Sequence, residues 1–156
     1  MNSPTPTSQH DVQDHVVSLF QRTVDAFPRG TALDSSRYAP NGTTATCDDN
    51  ADGPDAPVDF AQYADMRLLP GTDYKATVAK LGDIWSSWGW KVIERDDFPK
   101  PNRFASAPDG YRLQAVLNDP AYSPTVVATS PCYNGRLADY AIPMPRLIES
   151  TGDGSR

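Results

Sequence analysis

The sequence predicts an α+β domain in which two helices pack on one face of a mostly antiparallel sheet and one disulfide ties strands together. Three observations lead to this prediction. Two segments have helical periodicity, and short strand-like segments follow each of them. An Asp109-Gly110 turn joins two of the later segments as a hairpin. The two cysteines, Cys47 and Cys132, each end a strand-like run.

The chain divides into a leader, one folded domain and a tail. Its 156 residues are enough to bury a hydrophobic core. Residues 1–10, rich in Ser, Pro and Thr, are predicted to be a flexible tether, and residues 11–137 are predicted to form the α+β domain. Residues 138–156 are predicted to be an irregular C-terminal tail, in which Ala141-Ile142 or Leu147-Ile148 are the segments that could dock on the domain.

The first helix is predicted over Asp11–Phe27, where apolar residues recur every three or four positions. Asp11 is suited to cap the start of this helix, and Pro28, directly after Phe27, is expected to end it. A Thr-rich strand is predicted at residues 43–47 and a second strand at residues 64–69. Between them, residues 48–59 contain too much Asp, Pro and Gly for a helix or a strand and are predicted to be a loop.

The second helix is predicted over Thr72–Trp88. Its apolar residues alternate spacings of four and three from Tyr74 onward, and Gly89 lies where a left-handed residue ends a helix. Later strands are predicted at residues 90–95, 103–106, 111–118 and 125–132. Apolar and polar residues alternate in the third of these, so one face of the sheet should meet the helices and the other should be mostly wet.

Composition and charge exclude some partners. The chain carries 14 basic and 20 acidic residues, for a net charge of −6, and five of the aspartates lie in residues 48–59 without a compensating base. Because the chain has no basic stripe, nucleic acid is not an expected partner. No apolar run approaches the ~20 residues that span a bilayer. Membrane contact is therefore expected only through a lipid anchor that this chain lacks.

The cysteines and the leader both bear on the cellular compartment. Two lone cysteines at the ends of strand-like segments indicate one disulfide between neighbouring strands, which requires an oxidising compartment. The alternative is a pair of buried free thiols in a cytosolic protein. The leader resembles the tether that follows the lipid-modified cysteine of bacterial lipoproteins, with Met1 standing where the native signal and anchor were. The alternative is an ordinary disordered N-terminus.

Several elements follow one another in an order that points to a family. They are an N-terminal helix, a strand ending in Cys47, the helix Tyr74–Trp88, the strand Gly110-Tyr111-Arg112-Leu113, and a last strand with Ser130-Pro131-Cys132-Tyr133. In this order they resemble the mature part of small actinobacterial secreted lipoproteins, such as the mycobacterial LppA-like family. The acidic segment at residues 48–59 departs from that pattern. The resemblance implies an envelope location, a disulfide between the two cysteines and no known reaction.

The acidic segment also fits the calcium-loop template D-x-[DN]-x-[DN]-G, with an aspartate at the twelfth position. The matching residues are Asp48, Asn50, Asp52, Gly53 and Asp59. Pro54 and Pro57 argue against a calcium site, because they stiffen the half of the loop that should turn into a helix. The alternative is a solvated surface loop. Calcium is the only cofactor that the sequence suggests.

Three tryptophans occur within six residues, at Trp85, Trp88 and Trp90. They could form an aromatic platform for a glycan or an apolar ligand, with Trp88 and Trp90 as the candidate binding residues. Alternatively, Trp85 and Trp88 belong to the apolar stripe of the second helix and pack in the core. Of the three, Trp90 is then the one expected to reach the surface.

No arrangement of residues indicates a catalytic site. His10 and His15 are the only histidines; no third metal ligand is placed by spacing, and there is no Gly-x-Ser-x-Gly elbow. The leading hypothesis is a non-enzymatic extracytoplasmic domain, lipid-anchored in the cell envelope, whose partner is an envelope protein, lipid or glycan. One alternative is a small hydrolase of envelope glycans that uses surface carboxylates such as Asp96-Asp97. Another is a calcium-dependent binding module built on residues 48–59.

Overall fold

One antiparallel sheet with helices packed on it makes up the computed structural model, which describes residues 5–48, 50 and 52–152. The helices are α1 (Gln9–Val24), α2 (Tyr74–Ser87) and a short 3₁₀ helix (Gly135–Tyr140). The strands are β1 (Ala32–Asp34), β2 (Thr43–Thr46), β3 (Pro57–Arg67), β4 (Lys91–Ile93), β5 (Asn102–Ser106), β6 (Arg112–Val116), β7 (Thr125–Thr129), β8 (Tyr133–Asn134) and β9 (Leu147–Glu149). The predicted α+β class with an antiparallel sheet and one disulfide is confirmed.

The long strand β3 organises the sheet. The strand order is β4-β5-β6-β7-β3-β1-β9, and β2 and β8 pair with the first half of β3. Every pairing is antiparallel. Val58 of β3 is opposite both Thr46 of β2 and Tyr133 of β8, so β2 and β8 lie on opposite edges of β3. The predicted strand at residues 64–69 overlaps only the last four residues of this 11-residue strand, and residues 68 and 69 lie beyond its end.

Both helices bury their apolar stripes on the same face of the sheet. The buried helix residues include Val12, Val16, Leu19, Phe20 and Val24 of α1 and Val78, Leu81 and Trp85 of α2. All of these except Val78 belong to one cluster with the inward residues of the central strands, among them Ala64, Leu113, Ala115, Val126 and Ala128. Removing each such side chain from water contributes about 1.5–3 kcal/mol. The small inward residues of the sheet allow the helices to approach it closely.

The start of α1 corrects the predicted tether at residues 1–10. The helix begins at Gln9, and the hydroxyl of Ser8 accepts a hydrogen bond from the backbone N–H of Asp11 at 3.0 Å. Gln9 is buried because its side-chain oxygen accepts a hydrogen bond from the Tyr133 hydroxyl, and its amide donates to Gln13 at 3.0 Å. This tertiary network extends the helix towards the N-terminus beyond its apolar stripe. In the described part of the chain, no deeply buried side-chain polar atom lacks a partner.

The C-terminal segment is not wholly irregular, as had been predicted for residues 138–156. Within it, β9 pairs with β1, and Ile148 of β9 is opposite Leu33. Both side chains are buried, and the hydroxyl of Ser150 donates to the carbonyl oxygen of Phe27 at 2.7 Å. Both segments expected to be able to dock do so: Leu147-Ile148 as a strand, and Ile142 through its backbone, which exchanges hydrogen bonds of 2.6 and 3.0 Å with the Gln13 side chain. Each of these strands is three residues long, too short for its alternation to be recognised.

Three smaller boundaries also differ from the prediction. α1 ends at Val24 rather than at Phe27, although the last turn continues through backbone hydrogen bonds such as Phe27 N–H to the Val24 carbonyl. α2 begins at Tyr74 rather than at Thr72, because Asp73 caps the helix and its carboxylate accepts from the backbone N–H of Ala76 at 3.0 Å. The predicted loop at residues 48–59 loses its last three residues to β3.

Cys47 and Cys132 form the predicted disulfide, with their Cα atoms 6.4 Å apart. The bond does not join strands that pair with each other, as had been expected. Cys47 follows β2 and Cys132 precedes β8, and these two strands flank β3 on opposite edges. The disulfide therefore spans the start of β3 and holds both of its neighbours against it.

Candidate binding site on the open face of the sheet

The second face of the sheet carries neither of the helices α1 and α2, and we call it the open face. The strand register places five of its residues side by side across five strands, and we call them the apolar row: Ile93, Phe104, Gln114, Val127 and Tyr63. Ile93 and Tyr63 at the ends of the row are 48% and 39% exposed, whereas Val127 is only 5% exposed. The open face is thus more apolar than the mostly wet surface that alternation in β6 predicted.

A second row of residues runs beside the apolar row, two positions along each strand. It consists of Lys91, Ser106, Arg112, Thr129 and Ala61, again in register across β4, β5, β6, β7 and β3. We call it the polar row. Its two cations, Lys91 and Arg112, lie beside Ile93 and Gln114 of the apolar row.

Parts of the two rows line a groove of about 300 Å³, whose lining does not include Val127, Tyr63 or Ala61. Its lining residues are Lys91, Ile93, Arg95, Phe98, Phe104, Ala105, Ser106, Arg112, Leu113, Gln114 and Thr129. This set contains three cations and no carboxylate, although the chain as a whole carries a net charge of −6. The groove is therefore a local basic site on an acidic protein.

One wall of the groove is a cluster of two phenylalanines and an arginine. The rings of Phe98 and Phe104 have centroids 4.8 Å apart at an angle of 54°. The guanidinium of Arg95 lies 5.1 and 5.2 Å from these ring centroids, within cation–π distance. Arg95 also donates two hydrogen bonds to Asp97, at 2.7 and 3.0 Å, and this contact lowers the pKa of Asp97. Arg95 thus supports the aromatic wall, and its charge is already neutralised.

The two cations on the opposite side of the groove, Lys91 and Arg112, make fewer hydrogen bonds to carboxylates than Arg95 does. Arg112 contacts one carboxylate oxygen of Asp59 at 3.3 Å, and its own side chain is exposed. Lys91 has no carboxylate partner among the described residues. An exposed ion pair of this kind contributes at most about 1 kcal/mol, so an incoming anion competes for Arg112 with little loss.

A larger cavity of about 480 Å³ lies farther along the open face, beside β3 and β7. Its lining includes Asp65, which receives hydrogen bonds from the Arg37 guanidinium and, at 2.8 Å, from the Tyr38 hydroxyl. Tyr122, which is 69% exposed, stands at its edge. Because both oxygens of Asp65 are engaged, this carboxylate is held in place as a structural acceptor. The cavity therefore presents a fixed polar surface rather than a reactive acid.

In the described part of the chain, the predicted calcium ligands do not converge on one point. Asp59 lies on β3 and contacts Arg112 on the open face. The Asp48 carboxylate accepts from the backbone N–H of Asn50 at 2.9 Å, as in an Asx turn. Among the described residues, no hydrogen bond joins the Asp52 side chain to Asp48 or Asp59. Among the described residues, no group of three or more His, Cys, Asp or Glu side chains is placed to hold a metal ion; Asp49 and residue 51 lie outside them.

The tryptophans are divided between the core and its margin. Trp85 is fully buried, and its indole N–H donates to the Thr23 hydroxyl at 3.2 Å. Trp88 and Trp90 are half-buried and meet edge to face, with centroids 5.5 Å apart. The guanidinium of Arg22 lies 4.0 Å from the ring centroid of Trp88 and covers one of its faces. Trp88 lines a shallow cavity of about 290 Å³ on the helix side, away from the open face.

The two histidines take part in surface contacts. His10 lies 3.4 Å from Asp14 in the next turn of α1. His15 stacks on the ring of Tyr111, with centroids 3.8 Å apart, and its Nε2 lies 3.7 Å from Asp109. Burial raises the pKa of Tyr111 to about 12, so its hydroxyl stays protonated at neutral pH. This arrangement packs α1 against the hairpin turn and brings no nucleophile to either histidine.

The open-face groove could not be found from the sequence, since its residues come from four separate segments and none matched a motif. The only sequence signal was the outward Arg112 in the alternating strand. No described helix has the length and apolar character needed to cross a membrane. Comparisons of this chain with protein-family models, curated proteins and solved structures found no match.

Proposed function

We propose that this protein is a non-enzymatic, extracytoplasmic domain of the bacterial cell envelope that binds its partner on the open face of the sheet. The observation that carries the proposal is the apolar row with cations beside it, on a face where Ile93 and Tyr63 expose large side chains to water. Exposed apolar patches rimmed by polar residues mark interaction sites in soluble domains.

The envelope location rests on the disulfide. Bonds such as Cys47–Cys132 form and persist in oxidising compartments and are rare in the cytosol of ordinary bacteria. The Ser/Pro/Thr leader is suited to tether the domain to a lipid anchor on the outer face of the cell membrane. The order of elements that resembles small actinobacterial lipoproteins supports the same location.

A binding role is favoured over hydrolysis by the state of the surface carboxylates. The candidate acids near Trp90 each contact a base: Glu94 with Arg103 at 3.2 Å, Asp96 with Lys100 at 2.6 Å and Asp97 with Arg95 at 2.7 Å. A glycosidase needs one carboxyl group whose pKa is raised so that it can act as an acid. The pKa of Asp97 is instead lowered by Arg95.

The test is retention of the purified domain on three separate fractions of a bacterial envelope: its lipids, its glycan and its membrane proteins. We expect one fraction to retain the domain, and we expect Ile93→Ser and Tyr63→Ser to weaken that retention. Tyr140→Ser is the matched control, because Tyr140 is 73% exposed on the 3₁₀ helix, which packs against α1. Retention by no fraction, or equal retention of all variants, would contradict the proposal.

A further inference from the structure

We propose that the groove on the open face binds an amphipathic carboxylate, whose acyl chain lies along the apolar row and whose carboxylate is held by Lys91 and Arg112. This inference rests on the proposed function, because it names the ligand class of the same face. It is carried by the register of the sheet, which sets an apolar surface directly beside two cations.

The apolar row provides a surface of suitable length for an acyl chain. Neighbouring strands are about 4.8 Å apart, so the two intervals from Ile93 to Gln114, the part of the row that lines the groove, extend over roughly 10 Å. Gln114, the only polar residue of the row, is uncharged. Ile93 and Phe98, the exposed apolar side chains that line the groove, lose unfavourable contact with water when a chain covers them, at about 25 cal/mol per Å².

The cations are placed to receive one anionic group. Lys91 and Arg112 flank Ser106 in the polar row, so their Cα atoms are separated by two strand intervals, roughly 10 Å. Both side chains are long, and both line the groove. No carboxylate lines the groove among the described residues, although Asp59 contacts Arg112 at 3.3 Å. An anion in the groove is therefore attracted by both cations and competes with Asp59 for Arg112.

Other occupants fit this groove less well. A simple inorganic anion would leave the apolar row in water. A saccharide is recognised by several amide and carboxylate side chains, and the groove offers Gln114 alone. A cationic partner would be repelled by the like charges of Lys91 and Arg112. The chemistry that uses both rows is a carboxylate with an apolar chain.

The experiment titrates the whole chain with octanoate, 1-octanol, octylammonium and acetate, and follows backbone amide resonances by NMR. We expect saturable binding of octanoate that shifts resonances of β4, β5 and β6. We expect 1-octanol, which has the same chain without the charge, to bind about fivefold to tenfold more weakly. Octylammonium and acetate should bind more weakly still. Equal binding of octanoate and 1-octanol, or of octanoate and acetate, would overturn the proposal.

Variants assign the two halves of the site. Lys91→Gln should weaken octanoate binding about threefold to fivefold and leave 1-octanol binding unchanged. Ile93→Thr should weaken both ligands, because it removes apolar surface from an exposed strand position while keeping a β-branched side chain. Lys75→Gln, on the exposed side of α2, is the matched control and should change neither. A Lys91→Gln variant that binds octanoate as well as the parent chain would contradict the assignment.

The two proposals fail in different ways. If the domain is retained by an envelope fraction and the open-face variants lose that retention, but octanoate does not bind, the ligand class is wrong and the binding face stands. If octanoate binds with the expected dependence on Lys91 while no envelope fraction retains the domain, the groove stands as a carboxylate site and the envelope role is wrong.

Discussion

Buried side chains on α2 decide the stability of the domain at the scale of single residues. Leu81 is fully buried between the helix and the sheet, so Leu81→Ala removes apolar contact and leaves a cavity. We expect a loss of about 2–5 kcal/mol in the free energy of unfolding, measured by urea denaturation. Lys75→Ala on the exposed side of the same helix should change it by less than about 0.5 kcal/mol. A loss below about 1 kcal/mol for Leu81→Ala would mean that this stripe does not pack on the sheet.

The raised pKa of Tyr133 predicts how the free energy of unfolding changes at alkaline pH. Burial raises its pKa to about 12, above the value of about 10 expected in an unfolded chain. The native state therefore keeps a proton that the unfolded chain releases, so this stabilisation is complete below about pH 10 and is lost as the pH rises to about 12. Urea denaturation at pH 9, 10 and 11 should show a falling free energy of unfolding.

The comparison for that series is Tyr133→Phe, which lacks the titrating hydroxyl. The variant should be less stable at pH 9 by about 1–3 kcal/mol, because it leaves the oxygen of Gln9 without its donor. Its stability should then fall less steeply above pH 10 than that of the parent chain. Identical slopes for the two proteins would show that Tyr133 does not titrate differently in the folded state.

Two buried glutamines of α1 show what the sequence alone could not predict. The spacing of Val12, Val16 and Leu19 was enough to predict α1 and the face that it buries. Gln9 and Gln13 are also buried on this helix, yet their partners are Tyr133 and the backbone of Ile142, more than 100 positions away. A periodicity in one segment cannot reveal a partner in another. The predicted helix therefore began at Asp11, two residues after its actual start at Gln9.

At the scale of elements, the acidic loop gives the clearest test. We expect no saturable calcium binding at micromolar concentrations, and little change in melting temperature, in a calorimetric titration. The physical reason is that Asp59 is on β3 beside Arg112, while Pro54 and Pro57 restrict the backbone where a calcium loop turns into its helix. One-to-one binding in that range, lost in Asp52→Ala, would restore the calcium module. Asp119→Ala, outside the loop, is the control.

Strands were predicted where their own residues show a recognisable pattern, and not according to their length: only the last four of the 11 residues of β3 were predicted, whereas β4, with three residues, was found. The hairpin of β5 and β6 and the strand β7 each have five residues with recognisable alternation, and all three were found. β1 and β9 have three residues each, and they exist because β1 pairs with β3 and β9 pairs with β1. Such strands are stabilised by a partner distant in sequence, so local pattern alone could not place them.

At the scale of the whole molecule, the disulfide bears both on the fold and on the proposed cellular compartment. Titration of the denatured, unreduced protein with a thiol reagent should find essentially no free thiol, because Cys47 and Cys132 are bonded to each other. The same titration after reduction is the control and should find two thiols per chain. Two reactive thiols before reduction, in protein taken from its native cell, would contradict both the bond and the envelope location.

The candidate site also belongs to this scale. Lys91, Phe104 and Arg112 lie in three different strands, and only the register of the sheet makes them neighbours. The sequence predicted the strands that carry them, but not which strands pair or how far each is shifted along its neighbour. A site built across strands is therefore invisible until the pairing is known, whereas the cysteine pair could be predicted because it needed only two residues.

The disulfide also decides what happens when the chain is cut. The acidic loop is exposed at Asp48, Asn50 and residues 52–55, which makes it a preferred place for a protease to nick the chain. Because Cys47 lies before the loop and Cys132 lies after it, the two fragments stay covalently joined through sulfur. A nicked molecule should run as one species in electrophoresis until a reductant separates it into two. In an oxidising compartment that also contains proteases, the domain thus keeps its open face assembled after a cut that would divide a reduced chain.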